Sequence, residues 1–135
     1  MLESCKEDLD IIDYRRAKHV VGEDERVWKA DAFLAEGNVE AFGKLLFESH
    51  ESSRDFFENS CPELDSLVEL AHNIPGCAGA RLSGGGFGGI SIHLVREEEA
   101  ETYAARLTEA YKVKTGKNIE TILCGIGDGA YSEQL

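Results

Sequence analysis

Positive charge is scarce in this chain. Lys and Arg total 14 against 26 Asp and Glu, a formal net charge of −12 at pH 7. A nucleic-acid binder needs a basic footprint, and anionic lipid attracts basic segments, so neither partner class is expected. Cysteine is sparse and scattered. Cys5, Cys61, Cys77 and Cys124 form no C-x-x-C pair, which argues against a zinc ribbon or a dithiol redox motif. His19, His50, His72 and His93 are equally dispersed, and no protein-ligated metal is expected. Free thiols in a reducing cytoplasm are the simplest reading of these cysteines. No run approaches the roughly 20 apolar residues of a membrane span. The segment Met1–Asp10 carries four acids and no apolar core, unlike a signal peptide.

What the chain does have is glycine, concentrated in one place. Five of the seven residues in Ser83-Gly84-Gly85-Gly86-Phe87-Gly88-Gly89 are glycine. Such a run loses much backbone entropy on folding, so it implies a sharp turn, positive φ or the close approach of another group. Successive N–H groups in a turn of this kind can converge on an anion.

The 135 residues suit one domain, 1–135, with no internal repeat, low-complexity tract or linker. A domain of this size buries about 68% of its unfolded surface, enough for a core without staples. The first half has helical periodicity. Val20, Val27, Ala30 and Leu34 recur at helical spacing. Asn38 is the expected N-cap of a second helix, with Phe42, Leu45, Leu46, Ser49, Ser53 and Phe56 on one face. Ser60-Cys61-Pro62-Glu63 resembles a capping box for a third helix, striped by Leu64, Leu67, Val68 and Ala71 and ended by Asn73–Gly76.

The second half changes character. Ala78–Leu82 is a strand candidate, and Ile90, Ile92 and Leu94 alternate with Ser91 and His93 as in a strand with one buried face. The glycine run joins the two. Glu97–Thr115 is an amphipathic helix with Ala100, Tyr103, Ala104, Leu107 and Tyr111 on one face, acids at its start and Gly116 at its end. A further strand is expected at Ile119–Cys124, then a turn at Gly125–Gly129 around Asp128 and a last strand at Ala130. The order implies an α+β fold, helices packed on a mostly antiparallel sheet.

Gly84, Gly86 and Gly89 match G-x-G-x-x-G, a weak pattern alone. A dinucleotide fold needs a helix after the last glycine, and here a β-patterned segment follows. No Gly-Lys-Ser/Thr follows, so a Walker A loop is excluded. A protein kinase would also need a lysine strand and an H-R-D loop, and neither is present. The remaining readings are a structural turn that lets sheet and helix pack closely, or a phosphate-facing one. Phe87 is expected to anchor that turn in the core. Arg15, Arg16, Lys18 and His19 read as a solvated helix face. Ser49, His50 and Asp55 lack the strained nucleophile turn of a hydrolase.

Four blocks together resemble the C-terminal part of the galactokinase family, in the GHMP kinase superfamily. They are Arg16-Ala17-Lys18-His19-Val20-Val21 with Glu23 and Arg26, Phe42-Gly43 through Glu48–Ser52, Ser60–Asp65, and Gly79–Gly89. Gly127–Ala130 fits as well. Ser83 and Gly85 stand where many members have Thr and Ala, and Ile90-Ser91 where many have Cys-Thr. The resemblance implies a ferredoxin-like C-terminal domain. It implies transfer of the ATP γ-phosphoryl group to the anomeric hydroxyl of galactose, with Mg²⁺, by an intact enzyme. The glycine run Ser83–Gly89 would close the phosphate site.

The family's sugar signature, its serine-rich phosphate loop and its catalytic Asp and Arg belong to an N-terminal portion that these residues do not contain. No catalytic residue is therefore expected here. The isolated chain is expected to be inactive, to bind no cofactor alone and to self-associate through the face that portion would cover. An N-acetylgalactosamine kinase and a non-catalytic sugar sensor with a regulatory partner share the same blocks and remain alternatives. In the intact enzyme, valine at Gly85 or Gly86 is expected to lower turnover far more than stability.

Overall fold

A computed structural model of the chain describes residues 2–127 together with 129 and 132. A short 3-10 turn, Leu2–Cys5, precedes helix α1 (Ile11–Ala35). Asp10 caps α1, its carboxylate accepting from the N–H groups of Ile12 at 2.7 Å and Asp13 at 3.0 Å. Helix α2 (Val39–Ser52) starts as expected at Asn38, whose side chain accepts from the Ala41 N–H. It runs on into a π-helical turn, Ser53–Phe57. Helix α3 (Pro62–Asn73), strands β1 (Cys77–Ser83) and β2 (Ile90–Val95), and helix α4 (Ala100–Thr115) follow. The two strands pair antiparallel, so the α+β arrangement of helices on an antiparallel sheet holds.

Two expectations about local structure are corrected. The capping box does not form. Cys61 occupies the N-cap position with no side-chain capping bond, Ser60 Oγ donates to Asp65 Oδ1 at 2.5 Å, and Glu63 pairs with Lys117. Pro62 at the first turn still fits, since its missing N–H has no helical partner. Ile119–Cys124 adopts no strand; Ile119 packs on the core, whereas Ile122 and Leu123 are exposed and pair with no described strand. Asp128 and Ala130, expected in the following turn and strand, lie outside the described residues. Among the described residues the sheet therefore holds two strands.

The inward face of β2 is also the opposite of the expected one. Register sets His93 against Ala80 and Ser91 against Leu82, and both β1 residues are fully buried. Side chains alternate across a strand, so Ile90 and Ile92 turn outward, 62% and 44% exposed. The inward polar groups are satisfied: His93 Nδ1 lies 2.6 Å from the Tyr103 hydroxyl and Nε2 2.8 Å from Ser91 Oγ. Tyr103 belongs to the core cluster of Val68, Ala71, Ala80 and Leu107 from α3, β1 and α4. The α4 stripe falls as expected, and Gly116 ends the helix at φ 73°.

Helix α2 meets β1 backbone to backbone. A Cβ on Gly43 would lie 2.1 Å from the Ala78 carbonyl oxygen, and one on Gly79 would lie 2.1 Å from the Gly43 oxygen. Ala78 is the extra residue of a bulge in β1, unpaired between Cys77 and Gly79.

Gly79→Ala should lower unfolding free energy by at least about 2 kcal/mol in urea titrations, because backbone must move to admit the methyl. Gly125→Ala, where an added Cβ meets nothing within 4 Å, should stay within about 0.5 kcal/mol. Burial holds the His93 imidazole at a pKa of about 4. A histidine depressed on folding stabilises above its unfolded pKa and loses that contribution as pH falls. Stability should therefore decline from about pH 6.5 toward pH 4, His93 adding up to about 1.4 kcal/mol per pH unit. A His93→Gln variant with the same slope across that window would contradict this.

Candidate phosphate-facing turn

Ser83 ends β1 opposite Ile90, and Gly84–Gly89 form the connection. The structure thus brings all seven expected site residues together at one end of the hairpin. φ is positive at Gly84, Gly86, Phe87, Gly88 and Gly89. Phe87 is no core anchor: it is 77% exposed and holds φ 58°. A Cβ at Gly84, Gly85, Gly88 or Gly89 would meet nothing within 4 Å, so the turn has an open side. Gly86 faces the protein, where a Cβ would sit 2.0 Å from the Asn59 carbonyl oxygen.

The closed side is held by Asn59, which lies outside every block singled out in the sequence. Its carbonyl accepts from the Phe87 N–H at 2.6 Å, and its Nδ2 donates to the Gly85 carbonyl at 3.2 Å. Glu58 precedes it at φ 61°, with its N–H on the Ser53 carbonyl at 2.7 Å. Arg15 and Arg16 reach across from α1. They donate to the Asp55 and Phe56 carbonyls and pair with the Glu58 carboxylate at 2.9 and 2.5 Å. The basic cluster is therefore a clamp on the π-helical turn rather than a solvated face. It leaves the Glu58 carboxyl below its usual pKa, chiefly through the Arg16 bond.

A second support comes from His50, which is 1% exposed. Its Nδ1 accepts from the Leu82 N–H at 3.2 Å, one residue before Ser83, so the proton sits on Nε2. Nε2 lies 3.2 Å from Asp65 Oδ1, close but poorly aligned for a hydrogen bond. Burial pushes the imidazole pKa down against the opposing pull of Asp65. Ser49, His50 and Asp55 form no triad, as expected: Ser49 Oγ donates to Glu23 at 2.7 Å and Asp55 pairs with Arg54.

The remaining α1 contact is polar. Val20, Val27 and Leu34, apolar and at helical spacing, are 59%, 65% and 55% exposed. The helix instead turns His19, Glu23 and Arg26 toward α2, with His19 Nδ1 2.9 Å from Ser52 Oγ. Ser49 and Ser52 are the small polar partners that make this seam possible, and their hydroxyls are satisfied there. Of the residues the sequence analysis missed, Asn59 and Ser52 gave no signal, whereas Ser49 was placed on the α2 stripe.

The turn offers backbone groups on an open surface and no acid, base or nucleophile of its own. Among the described residues, no group of three or more His, Cys, Asp or Glu is placed to hold a metal ion. No described helix is long and apolar enough to cross a membrane.

Comparison with known proteins agrees with this geometry. The family model described as GHMP kinases C terminal matches residues 30–113, from the end of α1 through most of α4. A galactokinase of Bos taurus is 46% identical over 110 residues, which cover 82% of this chain and 28% of the relative. A galactokinase of Chloroflexus aggregans is 43% identical over 112 residues, 83% of this chain and 29% of the relative. The chain thus spans about three tenths of the length of the curated relatives it matches. The crystal structure of Lactococcus lactis galactokinase complexed with galactose superposes with a TM-score of 0.82 at 33% identity, covering 87% of this chain and 30% of that one. The L. major mevalonate kinase structure, at 24% identity and a TM-score of 0.62, shares the fold. With its antiparallel hairpin, open glycine turn and flanking helices, the chain belongs to the GHMP kinase C-terminal family, in a form similar to that of galactokinases.

Proposed function

We propose that this chain works as the C-terminal domain of a galactokinase, an enzyme that moves the γ-phosphoryl group of ATP to the anomeric hydroxyl of galactose. The observation that carries this reading is the glycine turn, held from beneath by Asn59 and open above, in a chain over 40% identical to galactokinases across most of its length. Phosphoryl transfer depends on positioning and charge neutralisation more than on covalent chemistry by the protein. The turn's part is to bring peptide N–H groups close to a phosphate with no side chain between them. The partner that completes the site is the N-terminal portion of the enzyme, which would carry the acid–base chemistry and the sugar contacts. ATP and Mg²⁺ belong to that assembled site. The free thiols Cys5, Cys61, Cys77 and Cys124 fit a reducing cytoplasm.

A hybrid in which this chain replaces the matching C-terminal portion of the Bos taurus galactokinase tests the reading. Galactose-dependent ATP consumption is expected from the hybrid and none from the 135-residue chain alone. A hybrid that melts cooperatively but does not turn over would overturn the proposal. The two valine variants should now separate. Gly85→Val has room for its side chain, and should keep the melting temperature while lowering kcat about tenfold or more. Gly86→Val collides with the Asn59 carbonyl and should lower both. Unchanged kcat in Gly85→Val would count against a phosphate-facing turn.

A further inference from the structure

We propose that Asn59 is the positioning residue of the glycine turn, setting its shape for phosphate closure; this rests on the galactokinase reading above. One residue grips three in succession. Its side chain bonds the Gly85 carbonyl, its own carbonyl occupies the space where a Gly86 Cβ would be, and that same carbonyl binds the Phe87 N–H. Asn59 is 7% exposed, so these bonds are shielded from competing water.

Phe87 shows what the grip does. A residue with a side chain resists φ 58°, and such conformations persist only where the surroundings impose them. No burial of the ring compensates, since the ring points into solvent. The short bond to Asn59 holds the residue there. Asn59 Oδ1, in contrast, is buried without a partner. Leaving a buried acceptor unpaired is unfavourable, and the amide is oriented by what its nitrogen does at Gly85. The position of Asn59 is in turn set by Glu58, clamped between Arg15 and Arg16.

The chemical consequence is a division of donors. The Phe87 N–H is committed to Asn59 and unavailable to an anion, so phosphate contacts fall to glycine N–H groups on the open side.

Asn59→Asp removes the amide donor at constant size and tests this on two levels. Amide hydrogen exchange, followed by NMR on the 135-residue chain, should accelerate about three- to tenfold at Phe87, with Leu107 in α4 unchanged. In the hybrid enzyme, kcat should fall about tenfold while KM for galactose shifts less than about twofold. Equal acceleration at Phe87 and Leu107 would mean a purely global role and overturn the proposal. Local acceleration with unchanged kcat would overturn it too. If the unsubstituted hybrid does not turn over, the galactokinase reading fails on its own. The grip is then judged by exchange in the chain alone, where no change at Phe87 refutes it. Asn59→Ala carries the same two measurements if the aspartate variant does not fold.

Discussion

The close approach of two backbones, at Gly43 in α2 and Gly79 in β1, is the contact on which the rest of this domain depends. Neither position leaves room for a methyl group. With both side chains reduced to hydrogen, the helix settles directly against the strand. Its C-terminal end then lies beside the last residues of β1, close enough for His50 to receive the Leu82 N–H. A larger residue at either point would hold α2 off the sheet. The polar contacts beneath the glycine turn would then be out of reach.

From that contact a short series of polar supports leads outward. The end of α2 widens into a π-helical turn, a feature often associated with functional positions. The turn delivers Glu58 and Asn59 to opposite tasks. Glu58 faces α1 and its arginines, and Asn59 faces the glycine connection. The resulting surface is asymmetric, pinned on the protein side and vacant on the other. That asymmetry suits a structural element that must hold its shape while another surface comes close.

The seam between α1 and α2 follows the same logic. An apolar stripe on α1 would have buried Val20, Val27 and Leu34. The helix half-buries carboxylate, imidazole and guanidinium groups instead, each with a partner: Glu23 with Ser49 and Arg26, and His19 with Ser52. Glu23 shows the balance of forces. Desolvation alone would raise its carboxyl pKa, yet the bonds from Ser49 and Arg26 carry it below the usual value. Such pairing is directional, so it fixes the rotation of α1 more sharply than apolar contact would.

The chain itself determined the types of the four long helices and of both hairpin strands, the Asn38 cap, the stripes of α3 and α4 and the hairpin around Ser83–Gly89, because these depend on local periodicity and on glycine at a turn. Its four family blocks also marked the place of the candidate site. Tertiary structure alone decided which faces of β2 and α1 turn inward. Register against Ala80 and Leu82 turned His93 inward and Ile92 outward, and partners on α2 rotated α1 away from its apolar stripe. The strand expected at Ile119–Cys124 pairs with no described strand, since a strand needs a neighbour and no local pattern supplies one. Asn59 was invisible for the same reason: its role comes from a contact 26 residues along the chain, to Gly85.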